Sequence, residues 1–248
     1  MRRFSATIIV VLAILGFSFS AAAGEKLLLA VATNFILPSG ELADMFKART
    51  GIPVEATYAS TGKLFGQIIT GAPYDLFFSA DEENPAILEK QGLCGTPFVY
   101  ARGQVVLWTA NREVCGASGW QAVVKNPEVR KIAIANTESA PYGTAAMIAL
   151  RKAGLWDTLK AKYVFPQTVA QAFQYAETKS ADAGFCAYSS ALSDKGKKGC
   201  FYEVPEAPVI VQTACILKRT EHRAAAERFA AFVQSPEAQK IKEKYGYR

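Results

Sequence analysis

The chain carries one histidine, His222, among 248 residues. That scarcity works against a histidine-based zinc centre and against a Ser-His-Asp hydrolase, whose base would have to be this residue. No Cys-x-x-Cys pair and no Gly-x-Ser-x-Gly elbow occurs either. Past residue 23 there is no apolar run approaching the ~18 residues that would mark a membrane-spanning helix. Internal repeats and low-complexity segments are missing, which disfavours a purely structural role. So is a basic stripe interleaved with aromatics. Lys195, Lys197 and Lys198 stand in a Gly-punctuated stretch that reads as a solvated turn, so nucleic acid is not an expected partner.

What is present begins with a leader. Arg2 and Arg3 form a positive n-region, Ile8 to Phe17 an apolar core, and Ala21-Ala22-Ala23 a small-residue cleavage site. Residues 1–23 are therefore expected to be a signal peptide cut near Ala23. The rest would be exported without a stable membrane anchor. The leader holds no acid, so losing Arg2 and Arg3 takes the formal charge from +6 to +4.

Five cysteines in an exported chain leave at least one without an internal partner. Cys215 lies in the apolar run Val209 to Leu217 and is the expected free thiol. Cys186 and Cys200 are expected to pair if their strands share a short connection, and Cys94 would then pair with Cys115.

From residue 24 the pattern alternates strand and helix, which predicts an α/β fold with mostly parallel sheets. Leu27 to Ala32 reads as a buried strand stopping on Thr33-Asn34, and a helix with Leu42, Met45 and Phe46 on one face follows. Val54 to Tyr58 leads through Ala59-Ser60-Thr61-Gly62 into a second helix. Asp75 to Phe78 is a third strand, with Asp75 and Asp81 read as structural caps. Gln104 to Thr109 and Lys131 to Ala135 are further strands. Later, Pro141-Tyr142 opens a helix and Thr168-Val169-Ala170-Gln171 fits a capping box.

Four junctions stand out, at Thr33, Thr61, Tyr142 and Thr168-Val169. Each places hydroxyls or bare amides at a helix start, where the first N–H groups lack intrahelical partners and the dipole favours an anion. In open α/β sheets such junctions face the ligand crevice. Helix starts from two lobes facing one cleft would suit a small oxyanion.

The motifs Ala30-Val31-Ala32-Thr33-Asn34-Phe35, Tyr58-Ala59-Ser60-Thr61-Gly62-Lys63-Leu64 and Gly71-Ala72-Pro73-Tyr74-Asp75-Leu76-Phe77-Phe78-Ser79-Ala80-Asp81 carry a resemblance. Ala140-Pro141-Tyr142-Gly143 and the ending Tyr245-Gly246-Tyr247 extend it. With these the chain resembles the periplasmic molybdate-binding proteins of molybdenum ABC importers, two-lobed solute-binding proteins. The resemblance implies a tetrahedral dianion, molybdate or tungstate, held wholly by neutral hydrogen bonds. Thr33 would donate its hydroxyl and amide, Asn34 a further donor, and Thr61 a second hydroxyl, with Ser60 the alternative register. From the other lobe, Tyr142 and Val169 would donate amides and Tyr188 its phenol.

The same resemblance implies lobes of residues 24–103 plus 207–248 and 104–206, joined by two hinge crossings near Arg102-Gly103 and Pro208-Val209. It implies a periplasmic monomer that hands its ligand to an inner-membrane permease, with no reaction, no cofactor and no cation directly ligated. Rival expectations are another solute, whether a sulfate-like oxyanion or ferric iron served by Tyr74, Tyr100, Tyr142, Tyr163 and Tyr188, and an exported hydrolase using His222.

Overall fold

The computed structural model describes residues 26–248, and the proposed leader over residues 1–23 lies outside them. The order is β1 (Leu27–Ala32), α1 (Ile36–Thr50), β2 (Val54–Ala59), α2 (Thr61–Ile69), β3 (Leu76–Phe78), α3 (Glu83–Lys90) and β4 (Phe98–Gly103). Next come β5 (Val105–Thr109), α4 (Trp120–Lys125), β6 (Ile132–Ala133), α5 (Pro141–Lys152), β7 (Tyr163–Val164), α6 (Val169–Glu177), β8 (Ala183–Ala187), α7 (Tyr188–Ala191) and β9 (Cys200–Glu203). The chain closes with β10 (Ile210–Ile216), α8 (Arg223–Val233) and α9 (Pro236–Lys244).

These strands make two five-stranded sheets, ordered β2-β1-β3-β10-β4 and β7-β6-β8-β5-β9. Both follow one plan. A central strand with parallel neighbours on each side, β1 between β2 and β3 and β6 between β7 and β8, comes from right-sized strand–helix–strand units. Two antiparallel strands then complete each sheet, β10 and β4 in the first, β5 and β9 in the second. The expected parallel character therefore holds for three strands of each sheet and stops there. The strand read over Gln104 to Thr109 is β5; β4, absent from that reading, precedes it, and the chain leaves the first sheet for the second at Gln104. The return passes through residues 204–209 into β10.

Each sheet has its own core. Leu27, Leu29, Val31, Phe35, Phe46, Phe78 and Phe229 pack one side of the first, with edge-on aromatic contacts such as Phe46–Phe229 at 5.0 Å between ring centroids. Trp108, Trp120, Phe185 and Leu107 fill the second. Fully burying such a side chain contributes roughly 1.5–3 kcal/mol each. Asp75 is structural, as expected. Its carboxylate accepts the Leu28 amide at 2.7 Å and the Thr220 hydroxyl at 2.5 Å, tying β1 to the segment after β10. Asp81 likewise accepts the Asn84 amide at 3.0 Å at the start of α3.

The cysteine pairing differs from the expectation. Cys115 bonds Cys200, with 5.8 Å between Cα atoms, while Cys94, Cys186 and Cys215 are free and buried. Sheet order is the reason. Cys186 in β8 and Cys200 in β9 flank β5 on opposite sides, opposite Val106 and Thr109 respectively. Two strand spacings, roughly 9–10 Å, exceed disulfide reach. Cys94 belongs to the first sheet, bridging Leu217, and cannot meet Cys115. Cys215 is free, as expected, and the Cys94 thiol donates to the Pro85 carbonyl at 3.6 Å. Interaction between the Cys94 and Cys215 thiols raises the Cys215 pKa, with burial adding to the rise, and lowers that of Cys94.

Cys115→Ser should lower unfolding free energy by about 2–4 kcal/mol in denaturant titration. Non-reducing peptide mapping should recover the Cys115–Cys200 fragment, and a Cys186–Cys200 fragment would contradict this topology.

Candidate functional site

Five chain segments end on one small cavity of about 10 Å³ between the sheets. From the first sheet come Ala32, Thr33 and Asn34 after β1, Ser60 and Thr61 at the start of α2, and Ala80 after β3. The second supplies Ala140, Pro141 and Tyr142 at the start of α5 and Val169 at the start of α6. The size decides the class of occupant. It is of the order of a single water, while organic ligands ask for about 300 Å³ or more, so the space as it stands admits only a very small ligand.

None of the ten lining residues is charged. Their polarity comes from hydroxyls and from amides that helix geometry leaves without partners. Val169 is the first residue of α6, whose N-cap Thr168 accepts from the Gln171 amide in a full capping box. The cap thus satisfies the third amide and leaves that of Val169 free of it. Pro141, which has no N–H, opens α5 and makes Tyr142 its first donor. Thr61 is 1 % exposed, and its hydroxyl oxygen accepts the Ala80 amide at 3.0 Å, so its single proton is left to point elsewhere. Thr33 makes no side-chain capping bond: it opens a short 3-10 turn, Thr33–Phe35, ahead of α1.

The two halves meet around this space. The Gly62 amide donates to the Ser139 carbonyl at 2.9 Å and the Ser189 hydroxyl to the Asn34 carbonyl at 2.9 Å. Beneath the cavity lies a buried polar cluster of Asn34, Gln212, Tyr100, Tyr142, Tyr247 and Ser189. Tyr247 donates to the Asn34 carbonyl at 2.6 Å, and Gln212 Nε2 lies 3.4 Å from Tyr142 Oη. Gly103 permits this packing, because a Cβ there would fall 2.1 Å from Tyr142 Oη. Burial pushes the phenols of Tyr100 and Tyr142 well above their ordinary pKa, and that of Tyr247 upward too. They stay protonated, as neutral donors, at any physiological pH.

Of the residues expected at the site, Thr33, Asn34, Ser60, Thr61, Tyr142 and Val169 are brought together. Tyr188 is not among the lining residues. Its ring packs against Phe201, centroids 5.2 Å apart, and under Gly246, held there by its place at the start of α7. Gln212, Tyr100, Tyr247 and Ser189 were missed. Gln212 had a signal, being an amide inside the apolar run Val209 to Leu217, fully buried in β10. Of the tyrosines considered for iron, Tyr100 and Tyr142 share the buried cluster, while Tyr74 bonds Gln67 and Tyr163 bonds the Leu155 carbonyl elsewhere. Among the described residues no group of three His, Cys, Asp or Glu could hold a metal ion. His222 sits before α8, outside the cavity. A larger groove by Arg112, Glu113, Glu177 and Lys198 lies at the C-terminal end of α6, away from the helix starts, and mixes both charges.

The family model for bacterial extracellular solute-binding proteins matches residues 27–248. The molybdate-binding protein ModA of Rhodobacter capsulatus is 38% identical over 238 residues, 94% of this chain and 92% of that protein. The solved periplasmic molybdate-binding protein of Azotobacter vinelandii is 36% identical, with a TM-score of 0.85 over 90% of this chain and 98% of its own. The sulfate-binding protein SubI of Mycobacterium tuberculosis shares the fold, with a TM-score of 0.77 at 18% identity. With its two mixed sheets and a cavity between them, the chain belongs to the bacterial extracellular solute-binding protein family.

Proposed function

We propose that this protein is the periplasmic component of an ABC importer that captures molybdate, and tungstate with it, between its lobes. The observation that carries the reading is the uncharged cavity ringed by hydroxyls and by the first amides of two helices. The relatives named molybdate-binding support it. The ligand shell comprises the hydroxyl and amide of Thr33, the Asn34 side chain, the Thr61 hydroxyl with Ser60 beside it, and the amides of Tyr142 and Val169. Each such bond to a charged group contributes roughly 1.5–3 kcal/mol, so about six suffice for tight binding after ordering costs. No reaction takes place in this protein, and the ligand leaves as it entered.

The lobes are residues 24–103 plus 207–248 and residues 104–206, turning about the crossings at Arg102-Gly103 and Pro208-Val209. An anion touching both lobes favours the closed state by its differential affinity, and that state is what an inner-membrane permease reads. The protein works as an exported monomer after loss of its leader.

Selectivity follows from a rigid all-donor shell. Molybdate and tungstate match in charge and nearly in size. Sulfate is smaller and leaves donors unpaired, at about 1–3 kcal/mol each. Phosphate brings a proton for which the shell has no acceptor. Calorimetric titration should give molybdate and tungstate similar affinities and sulfate at least about tenfold weaker. Equal binding of sulfate and molybdate would overturn the assignment.

Thr33→Ala should cost molybdate affinity by about tenfold or more while shifting the unfolding midpoint little, because its side chain caps nothing. Parallel loss of stability and binding would show that Thr33 serves the fold instead.

A further inference from the structure

The polar cluster under the cavity holds a conflict over protons. Tyr100 Oη lies 3.1 Å from the Ser79 carbonyl and 3.0 Å from Gln212 Oε1. Both neighbours are acceptors, and a phenol has one proton. At the other end of the cluster, Asn34 Nδ2 lies 2.6 Å from Gln212 Oε1 and 3.2 Å from Tyr247 Oη. Asn34 Oδ1 then has no partner, although Asn34 is 97 % buried, its exposure being 3%, and lines the cavity. It is the one buried side-chain N or O atom without a partner among the described residues. A buried unpaired carbonyl costs about 1–3 kcal/mol.

Turning the amides of Gln212 and Asn34 end for end together removes both conflicts. Gln212 Nε2 then donates one hydrogen to Tyr100 Oη and one to Asn34 Oδ1, and Tyr100 gives its single proton to Ser79. Gln212 Oε1 comes to face Tyr142 Oη, whose proton it accepts. Tyr247 shares its proton between the Asn34 main-chain and side-chain oxygens. Asn34 Nδ2 takes the unpartnered position, on a residue that lines the cavity, and its hydrogens are claimed by no protein group there.

We propose that Gln212 is a positioning residue for anion selection: its amide holds the Asn34 amide with NH2 toward the cavity, making the shell all-donor. In the reverse orientation Oδ1 would face the ligand as an acceptor, and a protonated oxyanion could bind there. Gln212 touches no ligand. It selects through Asn34, and the proposal rests on the oxyanion reading given above.

Gln212→Glu tests it, because a carboxylate at this place accepts from Asn34 Nδ2 and turns Oδ1 to the cavity. Molybdate and hydrogen arsenate, both dianions in mildly alkaline buffer, should be titrated into the native protein and the variant. The added charge at position 212 penalises both ligands alike, so the ratio of their affinities reports the amide orientation. The preference for molybdate over hydrogen arsenate should fall by about tenfold or more. An unchanged ratio would overturn the proposal.

A second measurement needs no variant of Gln212. The chain has five asparagines, so ¹⁵N-Asn labelling resolves the Asn34 side-chain amide, identified by its loss in Asn34→Ser. Its NH2 proton resonances should shift downfield on adding molybdate, as hydrogens without a protein acceptor bond an oxyanion oxygen. Resonances unmoved by molybdate would place the hydrogens on Gln212 throughout and refute the arrangement. If the native protein bound no molybdate at all, the oxyanion reading would fall. The amide resonances of the free protein, compared between native and Gln212→Glu forms, would still report how Gln212 holds Asn34.

Discussion

A helix cannot pair its own first amides, and everything about this site descends from that constraint. Most proteins settle such amides on a cap or on water. Here the starts of α5 and α6 leave the amides of Tyr142 and Val169 beside a cavity with no charged lining, and the chain that follows β1 and β2 brings hydroxyls to face them. Pro141 and Thr168 sharpen this arrangement, one by having no N–H of its own and the other by satisfying a deeper amide. A cation in the cavity would bind an anion more strongly but would read only its charge. Fixed neutral donors read shape, number of oxygens and protonation.

The fold makes such precision possible by building two similar sheets and passing between them twice, at Gln104 and through residues 204–209. Each sheet carries its own apolar core, so each can hold its helix starts rigidly. The buried cluster of Asn34, Gln212, Tyr100, Tyr142, Tyr247 and Ser189 draws on both halves of the chain and on its C-terminal end. Its phenols are kept neutral by burial, so the base of the cavity holds the same charge across the physiological range.

Much of this was legible from local pattern. Strand-to-helix junctions are written in contiguous residues, so Thr33, Thr61, Tyr142 and Val169 could be found by reading along the chain, as could the Thr168–Gln171 capping box. Asp75 could be set aside because a carboxylate repels a dianion. What failed depended on sheet order. Whether Cys200 meets Cys186 or Cys115 turns on β5 lying between β8 and β9, and no spacing along the chain reports that. The antiparallel entry of β10 was hidden for the same reason. Tyr188 was expected as a donor from the family resemblance alone, and its ring packs on Phe201 and Gly246 outside the cavity lining. Gln212 was an amide in an apolar run, and only its neighbours from distant segments reveal a task for it.

The central claim is that a dianion is held by uncharged donors that do not titrate. Proton linkage measures this directly: molybdate binding enthalpies near neutral pH in buffers of different ionisation enthalpy give the number of protons exchanged. The account predicts none, with the same enthalpy in every buffer once dilution is subtracted. Uptake or release of about one proton per molybdate would contradict it, because a titrating group would then belong to the shell.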